Sequence, residues 1–120
     1  MSRFRLAAAG VICVLGLLPA CTAAGEMAAS PYLGAWRLLR AMDCARCHGR
    51  DYEGWAAPSI LDFVRSQPRA RFDQVMLDGE PGRGMPGYRG QEQVADRLDE
   101  IYEYFVARAS GRIGGGRPLP

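Results

Sequence analysis

The sequence has 120 residues, with 15 arginines and no lysine against 13 acidic side chains, which gives a formal net charge of +2. This balance, without a long basic stretch, argues against a nucleic-acid-binding protein. The lack of lysine also excludes docking through a ring of lysines. The length fits one small domain with a thin hydrophobic core, a size at which a bound cofactor adds much to stability.

The N-terminal residues 1–24 have the pattern of a cleaved secretion signal. A basic start and an apolar run from Leu6 to Leu18 are followed by small residues up to Ala24. The run is shorter than the roughly 20 residues that span a bilayer. We therefore predict an exported, periplasmic protein whose domain occupies residues 25–120. Lipoprotein processing at Cys21 is the alternative, since the residues before it resemble a lipobox, and this alone would bring the protein to a membrane.

The first predicted helix covers residues 31–43. Ser30 could cap it, and Pro31 suits its first turn. Its apolar side chains recur at helical spacing, so one face is expected to be buried.

The helix leads directly into Cys44-Ala45-Arg46-Cys47-His48. Two cysteines three positions apart, with histidine directly after the second, are typical of a c-type haem attachment site. On one helical turn both thiols share a face and can add to the two vinyl groups of one haem. The imidazole of His48 then becomes the proximal iron ligand. We predict one covalently attached haem c, held by Cys44 and Cys47.

Other cysteine chemistry fits the motif less well. A thioredoxin-like pair expects a βαβ pattern and needs no histidine after the second cysteine. A structural zinc site needs four ligands, but His48 is the only histidine, and Cys13 and Cys21 lie in the predicted signal.

The remaining chain predicts an all-α fold with no strand. The predicted elements in chain order are a loop at 49–57, short helices at 58–66 and 69–77, a Gly- and Pro-rich loop without regular structure at 78–87, a helix at 91–109 ended by Gly111, and an exposed C-terminal tail at 111–120.

The second iron ligand is predicted to be Met85. With no second histidine and no lysine, methionine is the practical candidate, and a thioether ligand raises the reduction potential. Met42 lies too close to the attachment motif, and Met76 lies on the apolar face of a predicted helix, where it would fill the core. Met85 stands outside any apolar stripe, between Gly84 and Pro86, in a turn-constrained loop.

Together, the attachment motif, Pro58, the Gly84–Tyr88 segment and an aromatic terminal helix resemble a class I monohaem cytochrome c. The resemblance covers about residues 33–110. It implies the cytochrome c fold, about four short helices wrapped around one covalently bound haem.

Two contacts follow from this resemblance. The carbonyl of Pro58 would accept a hydrogen bond from the proximal histidine, which would fix the tautomer and orientation of the imidazole. The first and last helices would cross, with Gly34 and Leu38 facing Tyr102 and Phe105.

More narrowly, Arg83–Tyr88, Asp99–Tyr104 and the Gly-Arg-Pro tail are similar to small periplasmic cytochromes that serve PQQ-dependent alcohol dehydrogenases. This resemblance implies a PQQ-dependent dehydrogenase as electron donor and a terminal oxidase as acceptor.

Trp55 and Tyr88 are further candidates for the haem pocket. Their N–H and O–H groups could hydrogen-bond the haem propionates, as buried Trp and Tyr usually seek a partner. Equally, both side chains could simply cover the haem edge.

The sequence therefore predicts a one-electron carrier rather than an enzyme. Two alternatives remain. One is a cytochrome subunit of a larger respiratory complex, anchored by lipid at Cys21. The other is a sensor or peroxidase-like haem protein with an open distal site, against which the lack of another histidine argues.

Overall fold

The computed structural model describes residues 28–120. The predicted secretion signal and the alternative lipid site at Cys21 lie outside these residues. The α-helices are α1 (Leu33–Ala41), α2 (Ala45–His48), α3 (Ile60–Ser66), α4 (Arg69–Asp78), α5 (Glu92–Ala95) and α6 (Leu98–Ala109). No helix in the described part of the chain is long and apolar enough to span a membrane.

Helix α1 is shorter at both ends than predicted. Its N-cap is Tyr32, and Ser30 instead supports the preceding turn, where its carbonyl accepts from the Leu33 amide at 3.0 Å. At the other end Asp43 adopts φ +56°, a left-handed conformation that a helix cannot continue through. This break separates α1 from the attachment motif.

The two middle helices agree closely with the predictions. The Ser59 hydroxyl caps α3 by accepting from the Asp62 amide at 3.1 Å. Helix α4 follows directly and ends at Asp78, with Gly79 (φ +71°) as its C-cap residue.

The Gly- and Pro-rich loop is more regular than predicted. A 3-10 turn covers Pro81–Arg83, and an isolated antiparallel bridge joins Glu80 to Met85. The prediction of no regular structure was therefore wrong for this segment. Within residues 28–120 this bridge is the only β-type pairing.

The predicted helix at 91–109 is divided into α5 and α6. Arg97 has non-helical dihedrals (φ −117°, ψ 20°) and serves as the N-cap residue of α6. Its guanidinium makes two 2.8 Å hydrogen bonds to the Glu100 carboxylate. This pairing holds the side chain across the first turn of α6 and lowers the pKa of Glu100.

The core lies where α6 packs against α1 and α3. Ala35, Ile101 and Phe105 are fully buried there. The crossing differs from the expected one at its start, because Gly34 lies against the side chains of Arg97 and Glu100. Tyr102 instead packs on Phe72, at 5.2 Å between ring centroids.

The C-terminal tail returns to the body of the protein. Most of its residues are exposed, but the Gly116 amide donates to the Asp51 carboxylate at 2.8 Å, and Pro118 is buried. Asp51 also faces the buried Arg108 side chain at 3.8 Å. The tail is thus tied to the loop that follows the attachment motif.

The burial of the Tyr52 hydroxyl in this core is energetically unfavourable. The residue is 1% exposed, and its hydroxyl has no hydrogen-bond partner among the described residues. Burial, the largest cause, strongly raises the pKa of this hydroxyl. An unpaired buried hydroxyl costs about 1–3 kcal/mol.

We therefore expect Tyr52→Phe to raise the free energy of unfolding by about 1 kcal/mol. Thermal unfolding of the holoprotein measures this. Tyr104→Phe is the matched control, because the Tyr104 hydroxyl accepts from Arg108 at 3.2 Å and its loss should destabilise. A destabilised Tyr52→Phe protein would show that its hydroxyl has a partner in the holoprotein.

Candidate haem site

The attachment motif forms the short helix α2, with Cys44 as its N-cap residue. The amides of Cys47 and His48 both donate to the Cys44 carbonyl, at 3.3 and 3.1 Å. Both cysteines are free thiols; Cys44 is half-buried and Cys47 is exposed. Burial raises the pKa of the Cys44 thiol to about 11. One thiol therefore lies in an apolar environment and the other at the surface.

His48 is oriented by the loop that follows it. Its Nδ1 lies 2.8 Å from the Pro58 carbonyl oxygen, the contact that the family resemblance implies. A carbonyl only accepts, so Nδ1 carries a proton, and in the neutral ring the lone pair is on Nε2. This is the tautomer and the fixed orientation that an iron-binding imidazole requires.

An apolar cleft lies beside Cys44. It is lined by Leu38, Leu39, Met42, Cys44, Met76, Tyr88, Val94 and Ile101. No carboxylate or guanidinium is among these residues, so the chemistry of the lining suits a largely apolar group; the cavity itself has a volume of about 10 Å³. Two thiols, an oriented imidazole and an apolar cleft are the donor set and surroundings that haem c takes. The residues present therefore fit the group.

The described residues contain no competing metal site. No group of three or more His, Cys, Asp or Glu side chains comes together anywhere in residues 28–120.

The Met85 loop is held by its own backbone. Met85 exchanges two hydrogen bonds with Glu80, at 3.0 and 3.2 Å, and Gly84 supplies a left-handed turn at φ +82°. The loop then pairs with the end of α4, where the Tyr88 amide donates to the Met76 carbonyl at 2.9 Å. Met85 itself is half-buried and packs against the core, so packing contributes to its position, contrary to the sequence argument.

Two glycines allow this loop to lie so close to α4. A Cβ on Gly79 would be 2.5 Å from the Gly87 amide nitrogen and 2.6 Å from the Met85 carbonyl oxygen. A Cβ on Gly87 would be 2.6 Å from the Leu77 carbonyl oxygen. Sequence reasoning treated these glycines only as turn formers. A close approach between two backbone segments leaves no pattern in the sequence, so no sequence signal was available for this contact.

The other predicted pocket residues differ in their surroundings. Tyr88 is half-buried and lines the cleft, and burial raises the pKa of its hydroxyl, with Cys44 and Cys47 as smaller causes. Trp55, in contrast, is 83% exposed. Pro58 is exposed except for its contact with His48. The structure thus brings Tyr88 and Pro58 to the motif and leaves the Trp55 indole at the surface.

Known proteins resemble this chain over most of its length. Residues 34–105 match a family model described as cytochrome c oxidase, cbb3-type, subunit III. Cytochrome c-555 of Methylococcus capsulatus is 29% identical over 104 residues, covering 86% of this chain and 82% of that protein. Cytochrome c-553I of Paracoccus denitrificans is 30% identical over 83 residues, covering 63% of this chain and 37% of that protein.

A solved structure is also similar. The crystal structure of the c-type cytochrome XoxG from Methylobacterium extorquens AM1 superimposes with a TM-score of 0.66 at 27% identity. The match covers 73% of this chain and 56% of XoxG. The predicted all-α cytochrome c fold is confirmed by this likeness and by the family match.

Proposed function

Since the chain belongs to the family described as cytochrome c oxidase, cbb3-type, subunit III, and is thus an electron-transfer protein rather than an enzyme, we propose that it carries single electrons on one haem c. Cys44 and Cys47 provide the two thioether attachments. His48 and Met85 are the axial ligands, and Pro58 and Tyr88 belong to the pocket.

The contact between His48 Nδ1 and the Pro58 carbonyl, at 2.8 Å, carries this proposal. It fixes the imidazole beside two free thiols, so the three groups that the attachment chemistry needs are arranged by one short helix and one loop. The haem, when bound, supplies the one-electron chemistry of its iron.

The residues of the chain set the conditions for that chemistry. Apolar side chains line the cleft, and a low-polarity surrounding together with a thioether ligand favours the reduced state. The hydrogen bonds between Met85 and Glu80 hold the backbone that carries the thioether. A ligand set that stays the same in both oxidation states keeps the reorganisation on electron transfer small.

The proposed donor is a PQQ-dependent alcohol dehydrogenase and the proposed acceptor a terminal oxidase. Support comes from the likeness of the segments around Met85, along α6 and in the tail to cytochromes that serve such dehydrogenases. The secretion pattern of residues 1–24 supports the periplasm as the location.

A second candidate is a tethered cytochrome subunit of a larger respiratory complex. The family description, which names an oxidase subunit, favours it, and so does the lipobox-like sequence before Cys21. The mass of the mature N-terminus separates the two candidates. An acylated Cys21 supports the tethered subunit, and a start at Gly25 supports the free carrier.

The proposal is tested on protein exported together with the haem-attachment machinery. Intact mass should give one haem per chain that survives denaturation, and Cys47→Ala should leave a single thioether, visible in the pyridine haemochrome spectrum. The oxidised protein should then be reduced by a PQQ-dependent alcohol dehydrogenase and its alcohol substrate. Absence of covalent haem would refute the carrier itself, whereas haem without reduction would refute only the proposed donor.

A further inference from the structure

We propose that a cavity between α1 and the C-terminal tail binds inorganic phosphate as the hydrogen phosphate dianion. We call it the tail cavity. Its volume is about 160 Å³, and it is lined by Trp36, Arg40, Arg50, Asp51, Gly116 and Arg117. It shares no residue with the apolar cleft beside Cys44, so the proposal does not depend on the proposed electron transfer.

Three separate segments of the chain each bring an arginine to the tail cavity. Arg40 lies in the last turn of α1, Arg50 follows the attachment motif, and Arg117 belongs to the tail. None of the three has a carboxylate oxygen within 4.0 Å in residues 28–120, whereas every arginine from Arg65 to Arg112 has one. Because a guanidinium keeps its charge in proteins, these three charges are available to an anion.

The walls of the tail cavity are held in place by hydrogen bonds. The Gly116 amide donates to Oδ1 of Asp51 at 2.8 Å, which ties the tail to the loop after the attachment motif. On the other side, Arg40 donates to the Arg50 carbonyl at 3.4 Å, which joins α1 to the same loop. A site formed before the ligand arrives loses little conformational entropy on binding.

The size of the tail cavity suits a small ion. A volume of about 160 Å³ is well above the roughly 10–15 Å³ that one water molecule needs. It is also below the ~300 Å³ at which sites for larger organic ligands begin. The half-buried Trp36 side chain supplies one wall, and an apolar wall strengthens the hydrogen bonds between charged groups beside it.

The charge of the lining matches a dianion. Three guanidinium groups and one carboxylate leave these side chains with a net charge of +2. The planar fork of a guanidinium fits the oxygen atoms of a phosphate, to which it can donate two parallel hydrogen bonds. The hydrogen phosphate dianion would therefore neutralise the lining.

Asp51 favours an oxyanion that carries a proton. Its Oδ1 accepts from the Gly116 amide, while Oδ2 makes no hydrogen bond within the described chain. A carboxylate only accepts, and hydrogen phosphate has a P–OH group that can donate to it. Sulfate has no such proton, and a phosphate monoester has lost its second proton above a pKa of about 6. Both of these anions would meet the Asp51 charge without a hydrogen bond, so the site selects inorganic phosphate.

Isothermal titration calorimetry of the holoprotein with inorganic phosphate, at low ionic strength and mildly alkaline pH, tests the proposal. We expect saturable binding of one phosphate per chain. Arg40→Gln, Arg50→Gln and Arg117→Gln should each weaken it about tenfold, because each removes a charged hydrogen-bond donor. Arg37→Gln is the matched control, since Arg37 also lacks a carboxylate partner among the described residues but does not line the cavity. It should change the affinity by less than a factor of about two.

The role of Asp51 is measured by comparing anions. Sulfate and glycerol 3-phosphate should bind at least about tenfold more weakly than phosphate to the unchanged protein. Asp51→Asn keeps an oxygen that can accept from the Gly116 amide but removes the negative charge. We expect this variant to bind sulfate and phosphate within a factor of about three of each other.

Two neighbouring glycines test the contribution of the tail. A Cβ on Gly115 would lie 2.9 Å from Oδ1 of Asp51, the atom that holds the tail, whereas a Cβ on Gly114 would meet nothing within 4 Å. Gly115→Ala should therefore weaken phosphate binding at least about threefold, and Gly114→Ala should leave it nearly unchanged.

Four results would overturn the proposal. The first is a lack of saturable phosphate binding, and the second is equal affinity for sulfate in the unchanged protein. The third is a loss in Arg37→Gln as large as that in Arg50→Gln, because attraction to the general surface charge would then explain the binding. The fourth is equal affinity for phosphate in Gly115→Ala and Gly114→Ala, which would remove the tail from the site.

Discussion

Met85→Ala is expected to lower the reduction potential of the holoprotein by roughly 0.1–0.3 V, within the ~0.8 V over which axial ligands set haem potentials. Loss of the thioether removes the ligand that favours the reduced state. It also opens a coordination position, so the reduced variant should bind carbon monoxide at neutral pH. Redox titration and the optical spectrum of the reduced protein under carbon monoxide measure both effects.

The controls for this result are the other two methionines of the site. Met42 and Met76 both line the apolar cleft, and each can be replaced by Leu with nearly unchanged volume. We expect both variants to keep the potential within about 0.05 V of the unchanged protein, because neither removes a ligand. A large fall in Met76→Leu together with none in Met85→Ala would transfer the ligand role to Met76.

Gly79→Ala is expected to destabilise the holoprotein by about 2–4 kcal/mol and to weaken the Met85 ligation with it. The added Cβ would meet three backbone atoms of the Met85–Gly87 segment at 2.5–2.6 Å, and backbone cannot rotate away as a side chain can. The left-handed φ of +71° adds about 1–2 kcal/mol for a residue with a Cβ. Thermal unfolding gives the stability, and the far-red absorption of the oxidised protein gives the ligation.

Two other glycines separate the steric effect from the backbone effect. Gly111 has a φ of +76°, and a Cβ added there would meet nothing within 4 Å, whereas Gly82 has the same open space and no left-handed φ. Gly111→Ala should therefore lower the free energy of unfolding by about 1 kcal/mol, and Gly82→Ala should leave it nearly unchanged. If Gly79→Ala and Gly111→Ala lose the same free energy of unfolding, contact with the Met85 segment is not the cause of the destabilisation.

The fold was largely predictable where one local signal decided each element. Pro58 and Pro68 as helix boundaries and the apolar spacing of α3 and α4 placed these helices to within about two residues. The division between α5 and α6 was not predictable, because the apolar periodicity runs through it. The division depends on Arg97, whose side chain pairs with Glu100 over Gly34. Such a tertiary contact produces no periodic pattern in the sequence.

The attachment motif was predictable because its chemistry requires a fixed spacing. The position of the tail was not, since its glycines suggested only an exposed extension, while the Gly116 amide in fact contacts Asp51. The sequence also suggested that packing does not explain Met85, yet the side chain packs against the core. Its role as a ligand therefore depends on the chemistry of the donor set and stays a prediction.

The optical spectrum of the oxidised holoprotein at neutral pH tests the central claim most directly. A far-red sulfur-to-iron charge-transfer band is predicted, and it should vanish in Met85→Ala and persist in Met76→Leu. Such a spectrum would establish His48 and Met85 as the axial pair of an electron carrier. Absence of the band in the unchanged protein, together with ready binding of carbon monoxide in the reduced state, would contradict the account and indicate an open-site haem protein of the sensor or peroxidase-like kind.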